Sequence, residues 1–529
     1  MTAELEKNLV QRVAVGDIFR RKASAMPDRE ALVERRGEME IRLTYRELND
    51  RLNQFVRAMR QDGFQKGDRI GLLGLNSMEY LIALYGCAKG GFTAVPMNPG
   101  LNPKDLGYIM NHAAISGLIV DDMLFPLVNA LNSSLSTLRG FWYIPITGQK
   151  PLDNYKNINE VLSCQDSSEV EDVIIEDRDI FEILYTSGTT SSPKGVRISH
   201  LSVFIMSMTN AIEMNVVLGS VGTTLMPLFH CAQQTFTTTF FHVGGSTVIF
   251  RGFEPATMLQ TIERKKIQVI FCLPAMFRAL LDHPAFKQTD VSSVSRCVYA
   301  MTPMDQRTLE EGIQAFGAEF FLGTGQTECF PSTNSFRGNW QLVKKGNYWG
   351  ESVLSLDTGI MDDDGKLLGT GKIGEIVWRG PAVMEGYLNN PEATAESRKY
   401  GWHHSGDLGF VDEDGQLAFV DRKKDLIKTG GENVPSIKVE RVILADPRVQ
   451  AVAVIGLPHD RWIEAVTAVV VPMQGETISE ADVLELCKKE LGGFEVPKKV
   501  VFVDDLPKTS TGKIQKHIIR QQHTKLYGG

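Results

Sequence analysis

The chain has 529 residues, of which 43% are hydrophobic and 23% are charged, and its formal net charge at pH 7 is −8. At about 150 residues per domain, this length predicts roughly three or four structural units, and the composition is typical of a globular protein with large apolar cores. The balance of 56 basic against 64 acidic residues disfavours a nucleic-acid-binding surface. We therefore expect no nucleic-acid partner.

Cysteine usage and the N-terminal residues bear on the cellular compartment. The seven cysteines are scattered and form no Cys-x-x-Cys pair, which predicts reduced thiols rather than a disulfide framework or a zinc site. Charged residues near the N-terminus interrupt the apolar run that a signal peptide needs, and no apolar run reaches the ~18 residues of a membrane span. We expect a cytoplasmic protein without a transmembrane segment.

The first 120 residues alternate between helix and strand patterns. Thr44 and Glu47 form a capping box ahead of an amphipathic run. The elements predicted after that helix are a strand at 69–74, a helix at 76–89, a strand at 92–97, a helix at 103–112 and a strand at 117–120. Such alternation predicts parallel sheets with crossover helices.

A segment rich in serine and threonine, residues 185–196, follows a predicted buried strand at 181–184. Glycines permit close backbone approach, and successive N–H groups and hydroxyls can surround a polyphosphate, with Lys194 adding positive charge. The segment does not match the Gly-x-x-x-x-Gly-Lys-Ser/Thr phosphate loop. A flexible linker is the alternative, disfavoured by the preceding strand and the following Pro-Lys-Gly.

The alternation resumes after this segment and changes character near residue 350. A helix from Ser202 precedes strands predicted near 247–250, 269–273 and 297–301. Acidic turns at 362–365 and 412–415 predict a hairpin-rich β unit, and the last hundred residues contain predicted strands at 449–454 and 465–471 and a helix at 479–491. Residues 369–374 match Gly-x-Gly-x-x-Gly, but a strand at 375–379 follows, so we expect no dinucleotide site.

These patterns predict an α/β fold with a large N-terminal domain and a small C-terminal α/β domain. We place the N-terminal domain at 1–421 and the C-terminal domain at 422–529, with the boundary in the charged segment 421–425. The N-terminal domain divides into two α/β subdomains and a β-rich one, at about 10–185, 186–349 and 350–421.

The serine- and threonine-rich segment resembles the phosphate-binding signature of the adenylate-forming superfamily, which includes acyl-CoA synthetases, carrier-loading adenylation domains and luciferases. The family usually has Gly where this chain has Ser191. Four further segments match the family in the same order, at 324–328, 402–407, 428–433 and 506–514. The resemblance implies phosphate contacts by Thr186, Ser187, Gly188, Thr189, Thr190 and Lys194.

The resemblance also assigns metal, nucleotide and catalytic roles. It implies that Glu328 and Thr186 hold Mg²⁺, a hard cation that prefers oxygen ligands. The residues it places around the nucleotide are Thr302, Gly323, Thr324, Thr327, Asp407 and Arg422, of which the last two contact the ribose. Lys513, in an ending similar to the family's Pro-x-x-x-x-Gly-Lys, is the implied catalytic lysine. Read alone, Glu328 and Lys513 are ordinary surface residues.

Further positions match the family's acyl, thiol and hinge elements. Pro227–His230 is similar to the acyl-pocket element, so His230, Gln233 and Gly325 are implied acyl contacts. His230 as a core histidine is the alternative. The resemblance places Lys424 at the hinge of a mobile C-terminal domain, and Lys428, Gly430 and Gly431 in the loop that faces coenzyme A.

Three departures from the family pattern concern the nucleotide. Thr324 replaces the usual adenine-stacking aromatic residue, Ala300-Met301-Thr302 replaces Gly-Gly-Ala, and Asp421 stands where Gly is more common. Because of these departures, the sequence does not predict how the nucleotide base is recognised. They do not affect the predicted phosphate chemistry.

The resemblance implies an AMP-forming acid–CoA ligase that uses ATP, Mg²⁺ and coenzyme A to activate a small carboxylic acid. Two alternatives stay open: a stand-alone enzyme that loads a carrier protein, and a non-catalytic nucleotide- or acyl-binding regulator. The chain ends soon after Lys513, so we expect no attached carrier domain. The identity of the acid and the oligomeric state, for which a homodimer is one option, are not readable from the sequence.

Overall fold

The computed structural model describes residues 1–37, 39–131, 137–186, 193–301, 304–508 and 514–527. The chain forms two compact units. The first consists of residues 1–186, 194–358 and 378–403, and the second contains residues 359–377 and 404–529.

One sheet of the first unit is mostly parallel. Its eight strands, in spatial order, are Gly386–Tyr387, Lys194–Ser199, Ile180–Thr186, Thr93–Met97, Arg69–Leu73, Gly117–Asp121, Gly140–Ile144 and Lys156–Asn157. The strands predicted near 69–74, 92–97 and 117–120 are confirmed. Lys194–Ser199 runs antiparallel to Ile180–Thr186, which brings the two ends of the serine- and threonine-rich segment side by side.

A second set of strands in this unit is parallel in its centre. In spatial order these nine strands are Tyr348–Ser352, Ser332–Arg337, Glu319–Gly325, Arg296–Ala300, Val269–Phe271, Val221–Thr224, Ser246–Ile249, Glu30–Arg36 and Met39–Thr44. They include the strands predicted near 247–250, 269–273 and 297–301, so the α/β class is confirmed.

Helices cover both sheets of the first unit. Their bounds are Ala3–Gln11, Gly16–Ala25, Tyr45–Gln61, Met78–Gly90, Pro103–His112, Phe125–Asn129, Ile158–Ser163, His200–Glu213, Cys231–Val243, Pro255–Lys265, Pro274–Asp282, Gln306–Phe316, Gly338–Gln341 and Pro391–Glu396. The predicted capping box is confirmed: the Thr44 hydroxyl accepts from the Glu47 N–H, and the Glu47 carboxylate accepts from the Thr44 N–H. Every residue of Met78–Gly90 is buried, which explains the nearly continuous apolar sequence of that helix.

The second unit contains a small α/β fold. Its strands Glu432–Val434, Ile427–Thr429, Ile463–Pro472 and Val449–His459 are neighbours in that order, and Lys499–Phe502 pairs in parallel with Ile463–Pro472. Its helices are Ser436–Leu444, Glu480–Glu490 and Lys516–His523. The strands Asp357–Met361, Gly374–Arg379, His403–Val411 and Leu417–Arg422 also run side by side in that order.

The glycine pattern at 369–374 has the local structure that the sequence predicts. Gly374 opens the strand Gly374–Arg379, and Gly371 has a φ of 74° and donates its N–H to the Val411 carbonyl. A dinucleotide fingerprint requires a helix at this point, and the chain here forms a strand. Among the described residues, no helix is both long and apolar enough to cross a bilayer.

Asp421, a departure from the family pattern, stabilises the start of a helix in the second unit. One carboxylate oxygen accepts from the N–H of Ser436, the first residue of Ser436–Leu444, and from its hydroxyl at 2.7 Å. The Ser436 hydroxyl also accepts from the Lys516 ammonium at 2.6 Å, and Lys516 forms an ion pair with Glu440. Asp421 thus binds the first N–H group and the positive dipole end of a helix whose N-cap residue forms no side-chain hydrogen bond.

We expect Asp421→Ala to lower the free energy of unfolding by about 1–3 kcal/mol, because it removes charge-assisted hydrogen bonds to buried donors. Chemical denaturation of the whole chain measures this change. Glu413→Ala is the matched control, since Glu413 is an exposed acidic residue in the nearby turn. A loss for Asp421→Ala no larger than that of the control would contradict the capping role.

Candidate functional site

The predicted phosphate segment begins and ends on paired strands of the first unit. Thr186 is the last residue of Ile180–Thr186, and its register partner is Lys194, the first residue of Lys194–Ser199. Both residues are half-buried. The predicted phosphate contacts Ser187, Gly188, Thr189 and Thr190 lie outside the described residues, so their roles stay predictions.

Tyr387 links the predicted phosphate lysine to the predicted metal ligand. The ammonium nitrogen of Lys194 lies 4.8 Å from the centroid of the Tyr387 ring, a cation–π distance. The Tyr387 hydroxyl donates to Glu328 Oε1 at 2.9 Å. Burial and the Glu328 charge raise the pKa of Tyr387 well above its usual value, so the phenol stays a hydrogen-bond donor. The sequence reasoning missed Tyr387, because no motif pointed to it.

Backbone contacts hold Glu328 in the same place. It lies in the short 3-10 helix Thr327–Cys329, which follows the strand Glu319–Gly325. The Glu328 carbonyl accepts from the Met384 N–H at 2.7 Å, three residues before Tyr387. The main chain and the side chain of Glu328 are therefore both bound by the segment 384–387.

The end of the strand Glu319–Gly325 carries three predicted nucleotide or acyl contacts. Gly323 pairs with Ala300 on one side and Ser335 on the other. Thr324 donates its hydroxyl to the Asn334 carbonyl at 3.3 Å. Gly325 has a φ of 155°, and a β-carbon there would lie 1.6 Å from the Pro331 carbonyl oxygen. Only glycine fits at 325, so the backbone at this point presents no side chain.

The predicted acyl-pocket element lies beside the turn that carries Glu328. His230 caps the helix Cys231–Val243, since its Nδ1 accepts from the Ala232 N–H at 3.2 Å. The Cys231 thiol donates to the Thr327 hydroxyl oxygen at 3.7 Å, which joins the acyl element to the predicted nucleotide contact Thr327. Burial raises the pKa of Cys231 to about 12, so this cysteine is an uncharged thiol and not a nucleophile at neutral pH.

Gln233 is fully buried, and its amide group forms hydrogen bonds within the protein. Its Oε1 accepts from the N–H groups of Leu225 and Met226, at 3.2 and 2.8 Å. Its Nε2 donates to the Thr223 carbonyl and the Thr237 hydroxyl. An acyl contact through Gln233 stays a prediction, and such a contact would involve its apolar stem.

The second unit holds the predicted ribose pair. Asp407 and Arg422 are register partners on the antiparallel strands His403–Val411 and Leu417–Arg422. The Arg422 Nε lies 3.9 Å from Asp407 Oδ1, the distance of a loose ion pair. The Asp407 N–H donates to the Ser405 hydroxyl at 3.0 Å. Strand pairing thus brings together two residues that lie 15 positions apart.

A tight hairpin presents the residues predicted to face coenzyme A. Gly430 and Gly431 connect the strands Ile427–Thr429 and Glu432–Val434, with φ values of 59° and 91°. Two successive positive φ angles suit a two-residue hairpin and favour glycine at both positions. Lys428 is exposed beside this turn, as is Lys424 at the predicted hinge.

Two further predicted residues lie outside the described part of the chain, Thr302 and Lys513. Their neighbours are described: Met301 has a φ of 75° and is 47% exposed, and Lys508 forms an isolated antiparallel bridge with Ile514. The roles of Thr302 and Lys513 stay predictions.

Two family models match most of this chain. The family model for "AMP-binding enzyme" matches residues 19–388, and the model for "AMP-binding enzyme C-terminal domain" matches residues 438–513. A feruloyl-CoA synthase of Amycolatopsis sp is 33% identical over 91% of this chain and 94% of its own length. The medium/long-chain-fatty-acid–CoA ligase FadD8 of Mycobacterium tuberculosis is 33% identical over 91% of this chain and 86% of its own.

A solved structure is similar over nearly the full length. ATP-bound MatB from Rhodopseudomonas palustris superposes with a TM-score of 0.83 at 27% identity, covering 97% of this chain and 99% of that chain. The likeness therefore includes both the large N-terminal part and the smaller C-terminal part.

We expect Tyr387→Phe to weaken ATP binding in the presence of Mg²⁺ by about tenfold, because Glu328 loses a hydrogen bond to a charged acceptor and its fixed orientation. Binding without Mg²⁺ changes little. Isothermal titration calorimetry with and without Mg²⁺ measures the two ATP affinities separately. Tyr155→Phe is the control, since no described residue pairs with the Tyr155 hydroxyl. Equal Mg-ATP affinities for Tyr387→Phe and wild type would contradict the link.

Proposed function

This chain belongs to the AMP-binding enzyme family, among its AMP-forming acyl-CoA ligases, and we propose that the residues described above carry the two half-reactions of that activity. The family activates a carboxylic acid as an acyl-adenylate and then transfers the acyl group to coenzyme A. The relatives are CoA ligases, which favours this activity over loading of a carrier protein.

The contact chain Lys194–Tyr387–Glu328 is the observation that carries the assignment of the phosphate and metal sites. It brings a cation, a neutral donor and a carboxylate together where the serine- and threonine-rich segment starts and ends. Mg²⁺ usually binds through one or two carboxylates together with substrate phosphates and water. Glu328, held by Tyr387, supplies one carboxylate to that donor set.

In the first half-reaction, a carboxylate oxygen of the acid attacks the α-phosphorus of ATP and the bond to pyrophosphate breaks. The protein contributes position and charge: Thr186 and Lys194 hold phosphate oxygens, and Lys513 offsets charge on the reacting carboxylate and α-phosphate. Mg²⁺, when bound by Glu328 and Thr186, supplies further neutralisation of the phosphates. Asp407 accepts hydrogen bonds from the ribose hydroxyls.

In the second half-reaction, the thiol of coenzyme A attacks the acyl carbonyl, loses its proton, and AMP leaves. The hairpin at Gly430 and Gly431 has no β-carbons, so a narrow pantetheine chain can approach its backbone. Lys513 and this hairpin lie on the C-terminal side of Lys424. Rotation at Lys424 would exchange them, as in hinge motions around a fixed ligand. Lys424→Pro, which locks the hinge, tests this rotation. If both half-reactions stay equally fast in this variant, the rotation is excluded.

The polar residues beside His230 give no reason to prefer a polar acid. Gln233 is bonded to the backbone, and the Thr237 hydroxyl is 2.9 Å from that of Thr224. Aryl and fatty acids, the classes named for the two relatives, are therefore the first candidates. A panel of aryl, fatty, branched and short acids, assayed for AMP release with free coenzyme A, tests the function. Failure of every acid to yield AMP and thioester would refute it.

We expect Lys513→Ala to slow acid-dependent pyrophosphate release by about 10²–10³-fold, because a preorganised charge at the reacting centre is lost. Transfer from supplied acyl-adenylate to coenzyme A is largely kept. Rapid-quench assays of each half-reaction measure the split. Lys525→Ala, an exposed lysine in the same terminal region, is the control. Unchanged adenylation in Lys513→Ala would rule out the catalytic assignment.

A cytoplasmic location and a homodimer stay predictions. All seven cysteines are free in the structure, and six of them are buried.

A further inference from the structure

Glu182 is a buried acid that the proposed chemistry does not use. It lies in the strand Ile180–Thr186, four residues before Thr186, with 0% of its surface exposed. Neither carboxyl oxygen has a hydrogen-bond partner among the described residues. The Tyr80 hydroxyl and Gln234 Oε1 are likewise buried and without partners in the described part of the chain. Three elements therefore leave unsatisfied polar atoms in one region of the core.

The surroundings of Glu182 do not favour a charged carboxylate. The ionisable groups that its charge affects are Tyr80 and Tyr85, on the helix Met78–Gly90, and Cys231, at the start of Cys231–Val243. All three are neutral at physiological pH. Burial, only partly opposed by the Gln234 amide, raises the pKa of Glu182 to about 8. No cation of the described residues is among the causes of this shift. An unpaired buried charge is costly.

Gln234 connects this acid to the predicted acyl element. Its Nε2 donates to the Leu228 carbonyl at 2.8 Å, and the Leu228 N–H donates to Asn76 Oδ1 at 2.9 Å. Leu228 lies two residues before His230. The Gln234 amide therefore holds the backbone of the segment that leads to His230, while its Oε1 is buried without a partner among the described residues. The Gln234 side chain is close enough to Glu182 to influence its pKa.

We propose that Glu182 works as a neutral carboxylic acid and as a positioning residue, whose hydroxyl donates to Gln234 Oε1 and thereby holds Gln234 Nε2 on the Leu228 carbonyl. This inference rests on the proposed function, because it assigns residues 227–230 to the acyl pocket. A protonated carboxyl group has one donor, and Gln234 Oε1 is a suitable acceptor. An ionised carboxylate has no donor and would attract Nε2 instead, which takes Gln234 away from Leu228.

The proton on Glu182 gives a signed pH dependence. The pKa in the folded protein, about 8, is above the ordinary value of 4.5. The folded state therefore binds more protons than the unfolded state between these values, and its stability falls as pH rises through this window. Glu182→Gln removes the titration but keeps a donor. The melting temperature of Glu182→Gln relative to wild type should rise from pH 5 to pH 8 and level off above about pH 8.

The kinetic test measures kcat/KM for the best acid at saturating ATP and coenzyme A, from pH 6.5 to pH 9.5. For a single ionisation near pH 8, the wild-type value falls about fivefold between pH 8 and pH 9. Glu182→Gln should rescue this alkaline loss. Glu182→Leu, which has no donor, should raise the KM for the acid several-fold at pH 7, about 3–10-fold, with the KM for ATP unchanged.

Glu440→Gln is the matched control, because Glu440 is a buried glutamate whose pKa is also raised by burial but which is paired with Lys516. The fall of kcat/KM at high pH in Glu440→Gln should match that of wild type. The proposal is overturned if kcat/KM of Glu182→Gln falls at high pH as it does in wild type, or if this variant loses acid-dependent activity at pH 7. It is also overturned if Glu182→Leu has the same KM for the acid as Glu182→Gln. If no acid is activated, the proposed function fails. Separately, if the difference in melting temperature between Glu182→Gln and wild type is the same from pH 5 to pH 8, Glu182 is not a neutral carboxylic acid.

Discussion

The hydrogen bond between Tyr387 and Glu328 is the contact on which the phosphate and metal assignments depend. Glu328 follows a strand of one sheet of the first unit, whereas Tyr387 lies in a strand that pairs with Lys194–Ser199 in the other sheet. The bond therefore joins the two sheets at the point where the serine- and threonine-rich segment ends. The adjacent Lys194 ammonium lies against the same aromatic ring, so one side chain positions both a cation and a carboxylate.

Two buried acids of this chain show how differently a carboxyl group can be accommodated. Asp421 accepts from both the N–H and the hydroxyl of Ser436, at the N-terminus of a helix. Glu182 has none of these partners, and its neighbours are neutral phenols, a thiol and an amide. The same desolvation is met by hydrogen bonds in the first case and by a bound proton in the second. The first arrangement stabilises a helix, and the second makes a local structure sensitive to pH.

The acyl site illustrates why residue type alone is a weak guide to substrate polarity. The helix Cys231–Val243 contains four threonines and two glutamines, which suggests a polar surface. In the structure, the Gln233 amide binds strand backbone, and the Thr237 and Thr247 hydroxyls both pair with Thr224. Their polarity is satisfied inside the protein. The character of the acid must therefore be found by assay and not from composition.

The sequence by itself determined the α/β class, the strand and helix order, and the motifs that identify the family, because these depend on local periodicity and on short runs of residues. The acid at position 182, inside a run predicted as a buried strand, was also visible there. Only the tertiary structure decided that Tyr387 bridges Lys194 and Glu328, that Asp421 caps Ser436–Leu444, and that Glu182 lies beside Gln234 without a partner. These contacts join residues far apart in the chain, so they depend on how sheets and helices pack, which no local pattern encodes.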